Sequence, residues 1–148
     1  MGKSCSGFGP GMTSYEMLPK ITQALEQAIE LDCTTFYLGN YGNFDSLMAQ
    51  ATKKLQEKYP HIERVLVVPY ITKELERNKE YYYSSYDALV LPTELLSVPP
   101  KFGILKKNEW VIDNSDVVII NSKGAFGGSQ RAVEYVKRKK KLIIDVSL

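Results

Sequence analysis

The feature that most constrains the fold is an apolar run that leads into a glycine-rich loop and then into a helix. Residues 116–121 (Asp-Val-Val-Ile-Ile-Asn) have the length and composition of a buried strand. The loop 124–129 (Gly-Ala-Phe-Gly-Gly-Ser) follows, and helical spacing of apolar residues begins at Ser129. Glycines let a backbone approach a ligand closely, and a helix start offers free N–H groups and the positive end of the helix dipole. This stretch therefore predicts a strand, an anion-binding loop and a helix.

Two earlier stretches repeat this arrangement. The strand pattern of residues 3–8 leads into the loop 9–14, and that of residues 34–38 leads into the loop 39–45. Further strand patterns alternate with helical ones, and no linker or internal repeat interrupts them. The alternation predicts a single α/β domain over residues 1–148, a three-layer Rossmann-like fold with a mainly parallel sheet. In such a sheet the three glycine loops share the carboxyl edge of the strands, where ligands bind.

One segment departs from the regular pattern. Between residues 70 and 101 the periodicity weakens, and we expect a short helix over 72–80 and a short strand over 88–92. Three consecutive tyrosines, 81–83, lie between them. A connection of this length predicts either a lid over the site or a contact between subunits, and we expect the chain to form a homo-oligomer.

Composition argues against several classes of function. The net charge is +2, and no apolar run approaches the length of a membrane span or a signal peptide, so we expect a cytoplasmic protein without a membrane partner. Cys5 and Cys33 form no CxxC pair and His61 is the only histidine. We therefore expect no metal site, no Ser-His-Asp triad and no cofactor. The basic run 137–141 fits a helix C-terminus, which favours cations, so nucleic acid is not an expected partner.

The chain also resembles a known family, beginning at residues 36–45 (Phe-Tyr-Leu-Gly-Asn-Tyr-Gly-Asn-Phe-Asp), an aromatic strand followed by Gly-x-x-x-x-Phe-Asp. The stretch 107–110 (Lys-Asn-Glu-Trp), the stretch 114–116 (Asn-Ser-Asp) and the pair Gly127-Gly128 add to the likeness. On these motifs the chain resembles the YpsA/YoqJ-like branch of the SLOG superfamily, which is related to the DNA-processing protein DprA and to LOG phosphoribohydrolases. The resemblance covers nearly the whole chain. It implies a Rossmann-like domain that binds a nucleotide-derived ligand.

The sequence departs from the family pattern at three places. Family members commonly carry Gly-His-Arg after the first strand, where this chain has 9–11 (Gly-Pro-Gly). A helix position usually held by arginine is Lys107, which keeps the charge but loses the planar fork. The LOG motif Gly-Gly-x-Gly-Thr-x-x-Glu is matched only at its outer positions, by the Gly127-Gly128 pair and Glu134. These departures favour binding over catalysis.

Asp45 is the leading candidate residue, with three roles open to it. It can cap the helix that follows, accept hydrogen bonds from ribose hydroxyls, or act on an N-glycosidic bond together with Glu134 as a second catalytic carboxylate. Glu134 can instead pair with an arginine on its own helix, and the glycine loops can be tight turns. The predicted ligand-binding residues are Gly9, Gly11, Gly39, Asn40, Gly42, Asn43, Asp45, Asn108, Gly127, Gly128 and Ser129.

The expected function is binding of a phosphate- and ribose-bearing small molecule at the carboxyl edge of the sheet. Kinship implies an ADP-ribose-like molecule or a cyclic nucleotide signal, and a role in sensing or sequestering it. The alternative is an enzyme, an N-glycosidic hydrolase or transferase that resembles the LOG phosphoribohydrolases. A lesser alternative is single-stranded DNA binding through the terminal basic run.

Overall fold

Six strands form one all-parallel sheet in the computed structural model, which describes residues 2–125 and 127–147. The strands are β1 (Lys3–Phe8), β2 (Cys33–Leu38), β3 (Glu63–Val67), β4 (Ala88–Val90), β5 (Val117–Ile120) and β6 (Leu142–Asp145). Their spatial order is β4-β3-β2-β1-β5-β6. The chain builds outwards from β1 to β4 and then crosses back to the other side of β1. This reversal puts the topological switch point between β1 and β5, where the loops diverge and leave a crevice.

Helices cover both faces of this sheet. They are α1 (Leu18–Glu30), α2 (Gly42–Lys58), α3 (Lys73–Arg77), α4 (Lys79–Ser85), α5 (Gly103–Asp113) and α6 (Gly127–Arg138). Short 3-10 turns occupy Tyr15–Met17, Thr93–Leu95 and Pro100–Phe102. Helices α1 to α4 pack on one face, and α5 and α6 pack on the other. The three-layer Rossmann-like prediction is therefore confirmed.

Strand β5 shows why these strands are apolar along their whole length. All of its residues are buried, and successive side chains point to opposite faces. Val117 and Ile119 join Phe36 in the core beneath α1 and α2. Val118 and Ile120 join the opposite core beneath α5 and α6. A strand covered on both faces cannot alternate apolar with polar residues, which explains the run that the sequence displays.

The segment between β3 and α5 differs from its prediction. The single helix expected over residues 72–80 is two short helices, α3 and α4, which meet at Asn78. The Thr72 hydroxyl caps α3 by accepting the Leu75 N–H at 3.0 Å. In α4, Tyr82 packs under the helix and donates its hydroxyl to the Glu74 carboxylate at 2.8 Å, whereas the tyrosines on either side of it are exposed. The helices of this segment thus pack against β3 and β4, and its role as a lid or a subunit contact stays a prediction.

Arg64 ties three elements together inside the protein. It lies on β3 with only 3% of its surface exposed. Its guanidinium donates to the Thr52 hydroxyl at 3.0 Å, to the Ala49 carbonyl at 2.7 Å and to the Ser85 carbonyl. The group also lies over the Tyr86 ring, 4.9 Å from its centroid. Burial lowers the pKa of Arg64, and the carbonyl acceptors offset the cost of burying its charge.

Three further findings concern the classes considered from composition. Cys5 and Cys33 are free, buried thiols. Within residues 2–125 and 127–147, no helix is long and apolar enough to cross a membrane. In the same residues, no group of His, Cys, Asp and Glu side chains is placed to hold a metal ion.

Candidate functional site

A cavity of about 370 Å³ lies at the carboxyl ends of β1, β2 and β5, at the switch point of the sheet. Its walls come from the loop after β1, the first turn of α2, the inner face of α5 and the first turn of α6. Of the predicted site residues, the cavity brings together Gly9, Gly11, Asp45, Asn108, Gly128 and Ser129. Three loops that are distant in the sequence therefore contribute to one site.

The first two loops are locked to each other through their backbones. Gly42 has a φ of +83°, and a Cβ at that position would lie 2.7 Å from the Gly11 Cα. The Asn43 N–H donates to the Gly11 carbonyl at 2.8 Å. Gly42 and Asn43 therefore hold the two loops together, and neither of them lines the cavity. Glycine is required at position 42 by the close approach and by the left-handed backbone.

Asp45 lies in the first turn of α2 and in the cavity wall, and the N-cap of this helix is Tyr41, so Asp45 does not take the N-cap role that the sequence left open. Its Oδ2 accepts the Tyr41 N–H at 2.9 Å, which satisfies a donor at the start of α2. Burial raises the pKa of Asp45, while the Lys107 ammonium and the Tyr41 hydrogen bond act in the opposite direction. The carboxylate is therefore partly desolvated and still has an oxygen, Oδ1, with no hydrogen bond within the described residues.

Lys107 is the buried cation of the site. It lies on α5, lines the cavity and is only 4% exposed. A Cβ at Gly39 would lie 2.6 Å from the Asp45 Oδ2 and 3.2 Å from the Lys107 Nζ, so the two charged groups flank that glycine. Among the residues that the structure describes, the ammonium has no hydrogen bond and no direct ion pair. Burial lowers the pKa of Lys107, and Asp45 opposes that change.

The start of α6 forms the wall opposite the first two loops. Gly124 and Gly127 adopt positive φ values of 75° and 59°, and the helix begins at Gly127, two residues before the predicted start. A Cβ at Gly128 would meet nothing within 4 Å. In contrast to Gly42, these glycines leave open space beside the cavity. Phe126, in the same predicted loop, lies outside the described residues.

Several predicted residues do not line the cavity. Gly39, Asn40, Gly42, Asn43 and Gly127 stand behind its wall or beside it. Glu134 is exposed on the outer face of α6, where it accepts a hydrogen bond from Gln130 at 3.3 Å.

The Glu134 carboxylate belongs to a separate groove of about 260 Å³ between α5 and α6. The structure thus does not bring Glu134 together with Asp45. Asn108 borders both this groove and the cavity.

Five residues that line the cavity are not among the predicted site residues: Phe8, Met12, Tyr41, Ile104 and Lys107. Met12 and Tyr41 are exposed at its mouth. Burial raises the pKa of Tyr41, with a further contribution from neighbouring Tyr70. Lys107 carried a signal in the sequence, because it falls on the same helical stripe as the apolar residues Ile104 and Val111.

Comparison with known proteins supports the fold and goes no further. No protein-family model matches this chain, and no curated protein matches its sequence. Solved structures of similar fold include DNA processing protein A (DprA) from Streptococcus pneumoniae, with 16% identity and a TM-score of 0.66 over 96% of this chain and 49% of that one. DprA from Helicobacter pylori, described for its single-stranded DNA binding mode, has 14% sequence identity and a TM-score of 0.65 over 96% of this chain and 64% of that one.

The molybdenum cofactor carrier protein of Chlamydomonas reinhardtii is similar at 16% identity, with a TM-score of 0.56 over 97% of this chain and 75% of that one. The chain spans about half the length of the Streptococcus protein and less than two thirds of the Helicobacter protein. At these identities the likeness shows a Rossmann-like fold. Membership of the SLOG superfamily and of its YpsA/YoqJ-like branch stays a prediction.

Proposed function

We propose that this protein binds a small molecule derived from a nucleotide, with at least one phosphate and a ribose, in the cavity at the switch point. The observation that carries this proposal is Lys107, a nearly buried side chain in the cavity wall whose ammonium has no acceptor among the described residues. No buried side-chain nitrogen or oxygen of those residues lacks a partner, so the ammonium itself reaches the open space of the cavity. A cation that is largely removed from water favours an anionic partner, and an anionic ligand in the cavity would supply the acceptor.

The chemistry of the wall fits the two parts of such a ligand. A phosphate would accept hydrogen bonds from Lys107 and from the N–H groups at the start of α6, where the helix dipole also favours negative charge. The unbonded Oδ1 of Asp45 would accept from a ribose hydroxyl. Gly11 and Gly128 would let the ligand approach the backbone, since neither carries a side chain into the cavity.

Binding is favoured over turnover by the position of the carboxylates. Cleavage of an N-glycosidic bond calls for a second acid or base near the ribosyl centre. Glu134, the second candidate, faces a different groove. Burial raises the pKa of Asp45, although the Lys107 ammonium and the Tyr41 N–H favour its ionised form, so binding is favoured by the absence of Glu134 from the cavity and not by the protonation state of Asp45. A role in sensing or sequestering a nucleotide signal is consistent with this arrangement.

The functions named for the structural neighbours fit a binding role and widen the range of ligands to test. One neighbour is described as a carrier of a cofactor and another as a binder of single-stranded DNA. The expectation against nucleic acid gains no support from these neighbours. Short single-stranded oligonucleotides therefore belong in the test panel beside mononucleotides, NAD, ADP-ribose and linear and cyclic dinucleotides.

The test is a thermal-shift screen of that panel on three proteins: wild type, Lys107→Met and Lys106→Met. Lys106 is the matched control, because it is the adjacent lysine on α5 but is exposed and pairs with Glu109 at 3.3 Å. We expect a ligand that raises the melting temperature of wild type and Lys106→Met and has little effect on Lys107→Met.

Chromatography of the recovered ligand separates the two functions. An unchanged ligand supports binding, whereas a cleaved one supports the enzyme and makes Asp45→Asn the next variant. Equal shifts in Lys107→Met and wild type, or no shift with any compound, would count against a nucleotide site at this cavity.

A further inference from the structure

Strand β6 forms an edge of the sheet with its backbone open on one side. Its inner side is bonded to β5: the Leu142 N–H donates to the Asp116 carbonyl at 3.2 Å, and the Val146 N–H donates to the Ile120 carbonyl at 2.8 Å. Backbone groups point alternately to the two sides of a strand. The N–H and C=O groups of Lys141, Ile143 and Asp145 therefore point outwards, away from the sheet.

The side chains of this edge are apolar and yet accessible. Leu142 is 48% exposed and Ile143 is 36% exposed, and they lie on opposite faces of the sheet. An exposed edge strand with apolar side chains is a template for pairing with another strand. Within residues 2–125 and 127–147, no element covers β6 on its outer side.

The sequence of this edge is complementary to itself in one antiparallel register. When Ile143 is placed opposite Ile143 of a second copy, Lys141 faces Asp145 and Leu142 faces Ile144. Opposite charges and apolar pairs directly across two strands stabilise a sheet. The same register aligns the outward N–H and C=O groups of Lys141, Ile143 and Asp145 with those of the second strand.

We propose that β6 pairs with β6 of a second copy of this chain, antiparallel and centred on Ile143, so that one sheet runs through a symmetric dimer. Both charged side chains of the strand already have partners within the chain. The Lys141 ammonium donates to the Asp113 carbonyl at 3.1 Å. The Asp145 carboxylate accepts the hydroxyls of Ser122 and Ser147 at 2.5 and 2.6 Å. These contacts limit the side-chain entropy lost when the ion pair across the interface forms.

A groove of about 530 Å³ adjoins β6 on the face that α1 covers, and it holds none of the predicted site residues. The proposed pairing has a two-fold axis perpendicular to the sheet. The grooves of the two copies would therefore lie on the same face, on either side of the paired strands.

Sedimentation equilibrium over a range of protein concentrations tests the proposal, and circular dichroism checks the fold of each variant. We expect a wild-type dimer, and we expect Lys141→Asp, which faces Asp145 with a like charge, to weaken it roughly ten-fold or more. Ile143→Pro removes only an outward N–H and is expected to be monomeric. Lys140→Asp makes the same charge change at an exposed residue before the strand and is expected to leave the dimer intact.

A mixing experiment tests the register itself. In a homodimer, each of the variants Lys141→Asp and Asp145→Lys places two like charges opposite each other. A mixture of the two variants restores both pairs of opposite charges and is expected to form heterodimers. A wild-type chain that stays monomeric at roughly 100 µM overturns the proposal. So does a dimer that Lys141→Asp and Ile143→Pro leave unchanged. These two variants decide the question even if Asp145→Lys, which loses the serine contacts, fails to fold.

Discussion

Replacing both charges of the cavity with neutral groups, Asp45→Asn together with Lys107→Met, is expected to stabilise the protein at pH 7. Burial raises the pKa of Asp45 and lowers the pKa of Lys107. Both directions mean that the charged form is less stable in the fold than in the unfolded chain. The asparagine side chain keeps an oxygen that accepts the backbone N–H now bonded to Asp45, so the capping contact at the start of α2 is retained.

The size of the effect follows from the burial of the pair. Replacing buried ionic groups by neutral groups of similar volume stabilises proteins by about 1–4 kcal/mol. For a chain of this length, that corresponds to an increase of about 3–13 °C in melting temperature. The increase is expected to shrink as the pH falls towards the ordinary pKa of an aspartate. The reason is that the raised pKa of Asp45 destabilises the fold only above the ordinary aspartate pKa, where the carboxyl group of the unfolded chain is ionised. Below that pKa this free-energy cost is absent.

Urea titration at pH 7, followed by circular dichroism, measures the free energy of unfolding of wild type, both single variants and the double variant. Lys107→Met alone is expected to have a lower free energy of unfolding than the double variant, because it leaves Asp45 without its countercharge. A double variant that is less stable than wild type by more than about 1 kcal/mol would contradict a net destabilising effect of the two charges. The pair would then hold the fold together instead of serving a ligand.

Three further predictions concern the loops and the core. Gly42→Ala places a Cβ 2.7 Å from the Gly11 Cα in a left-handed backbone, and urea titration is expected to show a loss of at least about 1–2 kcal/mol in the free energy of unfolding. Gly128→Ala meets no atom within 4 Å and is expected to leave stability unchanged and to weaken ligand binding. Arg64→Met leaves buried acceptors without a donor, and a loss of about 2–4 kcal/mol is expected by the same method; a change below about 0.5 kcal/mol would contradict the structural role given to the guanidinium. Burial and the neighbouring Glu74 carboxylate raise the pKa of Tyr82 from 10.0 to about 12. The contribution of Tyr82 to stability is therefore complete below pH 10 and is lost as the pH rises through 12. Tyr82→Phe should remove that loss from the pH dependence of the melting temperature.

The sheet was predictable because burial on both faces leaves a direct mark on the sequence. A strand such as β5 is apolar throughout, and a glycine loop with a helix start follows it. The position of the cavity followed from topology, because parallel strands bring their loops to one edge. The two short helices around Asn78 were not predictable in detail, since each has too few turns to show a clear period.

The roles of individual glycines could not be predicted from the glycine pattern. Gly42 and Gly128 look alike in the sequence, yet one packs against a backbone and the other opens onto the cavity. A glycine indicates that something approaches closely but does not indicate what. Helical phase was more informative than the loops: it places Lys107 on an apolar stripe and Glu134 on the outer face of α6, away from Val133 and Val136.

The most direct test of the proposed site is a titration of isotopically labelled protein with ADP-ribose, and separately with a cyclic dinucleotide, followed by two-dimensional amide NMR. We expect amide shifts to concentrate at Gly11, Tyr41 and Gly128 for at least one of the probes, and we expect Lys107→Met to reduce them greatly. Shifts confined to the outer face of α6 around Glu134, or no shifts with either probe, would contradict a nucleotide site in the switch-point cavity.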